Sequence, residues 1–161
     1  METWLPVKGY EGYYEVSDSG NIRRIYRPEP YLDRKDYRIK YKGRNYTLCR
    51  DYNNVRSEMA AWGIPEIYYN LLTPALTDNG YLRVGLRVGP IRDSIMVHVL
   101  VAQAFLPSPL EGQNEVNHKD LNKLNNNDWN LEWMTHQENV AHYHENRTTK
   151  DTVHGNGRKI Q

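Results

Sequence analysis

Residues 116 to 139 leave few choices of local fold. Val116-Asn117-His118-Lys119-Asp120 opens as a short strand and runs into Asp120-Leu121-Asn122-Lys123-Leu124-Asn125-Asn126-Asn127-Asp128. Asn and Asp side chains bond their own backbone and tolerate left-handed conformations, so this run is a loop rather than a continuing strand. Leu131 to Met134 reads as a second strand. Thr135-His136-Gln137-Glu138 has capping-box spacing, which predicts a helix with Thr135 as N-cap running through Val140, Ala141 and Tyr143. Asn139 then lies in the first turns of that helix, able to face back across the hairpin. The expected unit is strand, Asn-rich loop, strand, helix.

The side chains on this unit suit phosphodiester hydrolysis. That reaction needs a base to activate water and a cation to neutralise the growing charge on the phosphate and leaving oxygens. A histidine with its ordinary pKa of about 6.5 is mostly neutral at pH 7 and can serve as the base. Asp and Asn oxygens suit Mg²⁺, which keeps several waters and takes one or two protein ligands. His118 supplies such a base, and Asn117 an adjacent hard ligand. Neighbouring strand residues point to opposite faces, so both serve one site only if the strand ends or bends there. Taken singly, a strand histidine is usually structural and an Asn-rich run usually a loop; the joint pattern favours catalysis.

Strand, loop, strand and helix with these residues strongly resembles the His-Asn-His (HNH) nucleases of ββα-metal fold, especially the homing-endonuclease type of phages and mobile introns. The resemblance covers about Val97 to Tyr143. It is carried by Val97-His98, Leu100-Val101-Ala102, Phe105, Val116 to Asp120, Asn122-Lys123, Asn125-Asn126, Asn130 to Trp133, Thr135 and Glu138-Asn139. It implies His118 as general base, Asn117 and Asn139 as ligands of one divalent ion, Mg²⁺ or Mn²⁺, and Asn130 as a structural Asn tying the loop to the strands. Asp is common where this chain has Asn117. A neutral carbonyl compensates less of the ion's charge, which leaves open whether Asn117 alone or Asp120 acting through water completes the metal shell. Gly is common where this chain has Leu121, and Arg or Lys where it has Val99.

The other histidines carry less. His98 begins the apolar helical pattern Val97, Leu100, Val101, Ala104, Phe105, and can equally be a packing residue or a site residue. His136, His142 and His144 have spacings that would permit a second metal arrangement or phosphate contacts, but a polar helix face is the favoured reading.

An N-terminal element supports the same reading. Trp4 to Ser17 leads through Asp18-Ser19-Gly20-Asn21 into Ile22-Arg23-Arg24-Ile25, a hairpin signal. About Glu2 to Tyr26, with its Gly9-Tyr10-Glu11-Gly12-Tyr13-Tyr14-Glu15-Val16-Ser17 core, is similar to the fourth type of nuclease-associated modular domain, which implies DNA contact. Farther on, Leu71 to Thr77 and Tyr81 to Val88 flank the turn Asp78-Asn79-Gly80, and Ile91 to Val97 can return as another strand. Leu82, Val84 and Leu86 alternate with Arg83 and Arg87, which puts the arginines on the exposed face and available, with Arg92, for phosphate.

Residues from about Arg27 to Asn70 fall outside the family pattern and read as an insertion. Tyr37 to Tyr41, Lys42 to Asn45 and Tyr46 to Cys49 form a basic hairpin, and Asp51 to Trp62 a short helix ended by Gly63 and Pro65. The net charge is only +1, but Arg23 to Arg50 carries ten Lys or Arg against three acids, while His98 to Glu145 carries two Lys against seven acids. With Tyr26, Tyr31, Tyr37, Tyr41 and Tyr46 interleaved, the basic segment suits double-stranded DNA. Arg23, Arg24, Arg38, Lys40, Lys42, Arg44, Arg83 and Arg87 are the candidate DNA-binding residues.

Composition bounds the rest. With 39% hydrophobic residues and a mean hydropathy of −0.85, a thin core and an extended molecule of small modules are expected. Cys49 alone excludes an internal disulfide and a cysteine-rich zinc knuckle. The N-terminus lacks a signal-like apolar run, and no stretch nears the roughly 18 apolar residues that span a bilayer. A cytoplasmic protein is expected, in the host cell if phage-encoded, without membrane association and monomeric. The tail from Glu145 to Gln161 has no apolar periodicity and is expected to be extended over DNA or disordered. With no helix-turn-helix after it, site specificity is expected to be modest or supplied by the insertion.

The expected fold is α+β. It comprises a modular DNA-binding element (1–27), a basic Tyr-rich insertion of hairpin and helix (28–70), an antiparallel hairpin (71–97), a ββα-metal nuclease module (98–145) and a basic tail (146–161). The expected activity is metal-dependent DNA endonuclease, nicking or double-strand cutting, of phage or mobile-element origin. The alternative is a non-catalytic DNA-binding regulator or packaging accessory with a degenerate module.

Overall fold

The computed structural model describes residues 1–26, 37–41, 44–48, 57, 59–65 and 67–153. The fold is α+β, with antiparallel sheets leading into a C-terminal ββα unit. Strands β1 (Trp4–Pro6), β2 (Tyr14–Ser17), β3 (Ile22–Tyr26) and β6 (Tyr68–Leu71) form one antiparallel sheet in the order β1-β2-β3-β6. The β2–β3 hairpin turns at Asp18 to Asn21, where the predicted turn lies. β6 departs from the expected boundaries: it belongs to the N-terminal sheet, where Tyr26 pairs with Tyr68 and Arg23 with Leu71. The insertion thus leaves and re-enters the sheet between neighbouring strands. Pairing satisfies the backbone groups that β3 would otherwise leave open along its edge.

Within the insertion, β4 (Tyr37–Tyr41) and β5 (Arg44–Leu48) pair antiparallel from Tyr37↔Leu48 to Tyr41↔Arg44, so the expected hairpin forms. Most of the helix expected over Asp51 to Trp62 lies outside the described residues. Residues 57 and 59–61 are helical, and the end is closed by bonds from the Gly63 N–H to the Ala60 carbonyl and from the Ile64 N–H to that of Met59. Met59 and Ile64 are buried.

β7 (Ala75–Leu76), β8 (Leu82–Val88) and β9 (Ile91–Met96) make a three-stranded antiparallel sheet. Val84 and Leu86 are buried and Arg83 and Arg87 exposed, as the period-two pattern requires. β9 passes directly into α1 (Val97–Phe105), which buries Val97, His98, Leu100, Val101 and Ala102. β10 (Glu115–His118) pairs with β11 (Leu131–Met134), preceded by a 3₁₀ turn at Asp128–Asn130, and α2 (His136–Val153) follows.

The capping box at the start of α2 forms in full. The Thr135 N–H and hydroxyl donate to Glu138 Oε2 at 2.8 and 2.9 Å, and the Glu138 N–H donates to Thr135 Oγ1 at 3.3 Å. The helix then continues to Val153, well into the segment expected to be extended or disordered. No Gly or Pro interrupts it before Gly155, and a nucleated helix adds one backbone bond for each residue it orders. No helix among the described residues is long and apolar enough to cross a membrane.

A string of separate modules is not what forms. One core cluster joins Val7, Tyr10, Tyr14, Val16 and Ile22 of the N-terminal element to Val84 and Leu86 of β8, Val97, Leu100 and Val101 of α1, and Leu131 of β11. The N-terminal sheet, β8 and β11 each turn apolar residues toward α1, which is apolar around most of its circumference, so packing them together buries these faces at once. Polar ties reinforce it. The Tyr14 hydroxyl donates to the Arg87 carbonyl and accepts from the Arg87 N–H, both at 3.0 Å, and the Tyr10 hydroxyl bonds the Asp93 carboxylate.

Candidate active site

Strand alternation sorts the site residues of β10 onto two sides. Val116 and His118 share one face, Glu115 and Asn117 the other, and the strand ends at His118, where the loop departs. The two candidate groups therefore flank the strand end from opposite sides.

His118 is buried and lies beside α1. Its ring centroid is 5.2 Å from that of His98 and 6.0 Å from that of Tyr81. Its Nε2 is 3.0 Å from Asn126 Oδ1, while Asn126 Nδ2 donates to the Leu124 carbonyl at 3.3 Å. That second bond orients the amide so that an acceptor faces the imidazole. In the neutral ring this arrangement favours the tautomer in which Nε2–H donates to Asn126 and Nδ1 holds the basic lone pair. Burial pushes the His118 pKa below its ordinary value, against the opposing pull of the Asn126 bond. The imidazole is thus held neutral at pH 7. Burial and then the charge of His118 push His98 down to about 4, and its Nδ1 is buried without a partner.

The N-terminal element reaches this side. Gly20, in the β2–β3 turn at φ 82°, lies so close that a Cβ there would stand 2.9 Å from Asn126 Cβ and 3.2 Å from its carbonyl oxygen. The Asp128 N–H donates to the Asp18 carbonyl at 2.8 Å. The close approach and the bond tie this turn to the Asn-rich loop that carries Asn126.

Asn130 is fully buried at the foot of the loop. Its Oδ1 accepts the Asp120 N–H at 3.2 Å, and its Nδ2 donates to Asp120 Oδ1 at 2.9 Å and to the Asn125 carbonyl at 2.8 Å. Asp120 also accepts from Asn125 Nδ2 at 2.6 Å and from the Asn122 N–H at 2.8 Å. Desolvation raises the Asp120 pKa, but these amide donors outweigh it and hold the carboxyl below its ordinary value. Both Asp120 oxygens are thus engaged in closing the loop. Leu121, next along, takes φ 63°, a left-handed conformation that costs a side-chain-bearing residue roughly 1–2 kcal/mol.

The opposite face of the hairpin looks toward α2. Asn117, buried, donates from Nδ2 to Glu132 Oε1 at 2.9 Å and lies 3.3 Å from His142 Nδ1. Asn139 donates from Nδ2 to Glu115 Oε2 at 2.6 Å, and Glu115 Oε1 is 2.7 Å from His136 Nδ1. The Asn139 bond, then that of His136, holds the Glu115 carboxyl below its ordinary value. Glu115, Glu132 and Asn126 are functional candidates missed from sequence. The register that sets Glu132 opposite Asn117 could have pointed to the second, and nothing local singles out Asn126 within its Asn-rich loop.

The candidate DNA-binding residues divide. The Arg23 guanidinium lies 4.1 Å from the Trp4 ring centroid and 4.0 Å from that of Tyr69, and pairs with Glu15 at 2.6 Å, so its interactions are within the N-terminal sheet. Arg24 lies 5.6 Å from the centroid of the Tyr14 ring. Arg44, Arg83 and Arg87 are exposed. Arg38 and Lys40 sit on β4, and Lys42 falls outside the described residues.

Comparison with known proteins places this geometry. The NUMOD4 motif matches residues 2–57 and an HNH endonuclease family residues 96–141. The DNA endonuclease I-HmuI of Bacillus phage SP01 is 30% identical over 150 residues, covering 93% of this chain and 60% of its own length. An uncharacterized HNH endonuclease of Acanthamoeba polyphaga mimivirus is 39% identical over 82 residues, 51% of this chain and 24% of its own. Among solved structures, one described as DNA binding and cleavage by the HNH homing endonuclease I-HmuI aligns with a TM-score of 0.56 at 29% identity, covering 93% of this chain and 60% of that one. The chain thus spans less than two thirds of the length of these relatives. Two family matches in chain order and a structural match across both show that the chain carries an HNH endonuclease domain with a NUMOD4 motif ahead of it.

Proposed function

We propose that the chain hydrolyses phosphodiester bonds of double-stranded DNA, with His118 as general base and Asn117 and Asn139 as ligands of one divalent ion, Mg²⁺ or Mn²⁺. The observation that carries this reading is the buried His118 imidazole held with Nε2 3.0 Å from Asn126 Oδ1. In the favoured neutral tautomer, with Nε2–H donating to Asn126, the Nδ1 lone pair is prepared to take a proton from water. The donor chemistry of the other face fits a hard cation. Two amide oxygens, with water and phosphate filling the remaining positions, make a plausible Mg²⁺ shell. When bound, the ion would stabilise charge on the phosphate and leaving oxygens.

In this scheme His118 takes the proton from the attacking water. Asn126 keeps the ring from turning, and Asn130 holds the loop that carries Asn126. Exposed Arg44, Arg83 and Arg87, with Arg24, Arg38, Lys40 and Lys42, would contact the phosphate backbone. Arg23 would act indirectly by bracing the sheet.

The test is cleavage of supercoiled plasmid with Mg²⁺ or Mn²⁺ against EDTA. Wild type should convert the plasmid only with metal, and His118→Ala should lower the rate about 10²–10⁴-fold while DNA affinity stays close to wild type. Cleavage by His118→Ala near the wild-type rate would remove His118 as the base. A wild-type protein that binds DNA but never cuts would favour a regulator with a degenerate site.

A further inference from the structure

Asn117 and Asn139 are uncharged, and an amide can bind a cation only through its oxygen. The NH₂ end is nearly the same size, so an unrestrained carboxamide can turn either end toward a ligand. Here each NH₂ end is committed. Asn117 donates to Glu132 at 2.9 Å, and its Nδ2 also lies 3.3 Å from His142 Nδ1. Asn139 donates to Glu115 at 2.6 Å. Glu132 sits opposite Asn117 in the β10–β11 register, and Glu115 projects from the same face of β10 as Asn117. Carboxylates accept only, so they select one orientation of each amide. They also bring two negative charges to a ligand pair that has none.

We propose that Glu132 and Glu115 are positioning residues for the metal site. They fix the amides of Asn117 and Asn139 with the oxygens available to the ion, and they supply the negative charge that the amides lack. This rests on the reading of those two Asn residues as ligands. Partners of this kind typically change metal affinity 10- to 100-fold when removed. A consequence specific to the Asn117–Glu132 pair follows. An Asp at position 117 would set two carboxylates against each other where an N–H···O bond now lies. Asn117→Asp alone should therefore bind metal no more tightly than wild type, although a carboxylate is the stronger hard ligand.

The experiment measures Mn²⁺ binding to the full chain by electron paramagnetic resonance, without DNA or turnover, for wild type, Glu132→Gln, Glu115→Gln, Asn139→Ala, Asn117→Asp and Asn117→Asp with Glu132→Gln. Gln is isosteric and can still accept from the amide, so it removes chiefly charge. Glu132→Gln and Glu115→Gln should each weaken binding about tenfold. Placed on Asn117→Asp, Glu132→Gln should instead tighten binding, because it restores an N–H donor to the carboxylate. A merely structural Glu132 would act in the same direction in both backgrounds, so a matching sign overturns the proposal. So do unchanged affinities in both single Gln variants. If Asn139→Ala binds Mn²⁺ like wild type, the ligand reading falls as well; if it loses binding while the Gln variants do not, only the positioning role is overturned.

Discussion

Leu121 shows how a residue can look out of place in sequence and be explained by its backbone. It follows Asp120 where the family commonly has Gly, and the structure gives it φ 63°, as the turn closing from the Leu121 N–H to the His118 carbonyl requires. Gly reaches that region without penalty, whereas Leu pays roughly 1–2 kcal/mol. Leu121→Gly relieves about 1–2 kcal/mol of strain but loses roughly 0.5–1 kcal/mol to the freer unfolded chain and about 1 kcal/mol of half-buried apolar surface, so its stability in urea unfolding should stay within about 1 kcal/mol of wild type. A larger loss would mean that the packing of the Leu side chain outweighs the strain. Asn126, by contrast, was hidden. Three consecutive Asn residues look alike in sequence, and only the fold decides that the middle one reaches the imidazole.

At the scale of elements, the β2–β3 turn is more than a connection within the N-terminal sheet. It presses on the loop that orients His118. Gly20→Ala would meet both a left-handed φ and atoms of Asn126 within 3.2 Å. Gly12→Ala provides the control, since its φ is 80° but nothing lies within 4 Å of the added Cβ. Both should cost about 1 kcal/mol or more from backbone strain. Gly20→Ala alone should also slow cleavage at saturating DNA, because Asn126 must move. Equal cleavage rates in the two variants would show that the turn does not position the site.

For the whole molecule, the shared core means that the N-terminal element and the nuclease unit stand or fall together. Ile22 is completely buried and belongs to the cluster that includes Leu131 of β11. Ile22→Ala should cost about 2–5 kcal/mol and lower the unfolding midpoint of β10 and β11 as much as that of β2 and β3. Backbone amide signals followed by NMR through a urea series would show this. If the β10–β11 signals persist after those of β2–β3 are lost, the two parts are separate folding units.

What the chain determined by itself was local. Alternation placed Arg83 and Arg87 outward, the capping box started α2, and the strand, Asn-rich loop, strand and helix identified the nuclease unit, because each depends on near neighbours in sequence. The joining of residues 68–71 to the first sheet, the single core, and the pairing of Asn126 with His118 and of Glu132 with Asn117 depend on which distant segments come to share a surface. Hydrophobic burial is non-directional, so the pattern of apolar residues says which faces are covered without saying what covers them. Only tertiary packing made that choice, and with it the orientation of His118 and of the Asn117 and Asn139 amides.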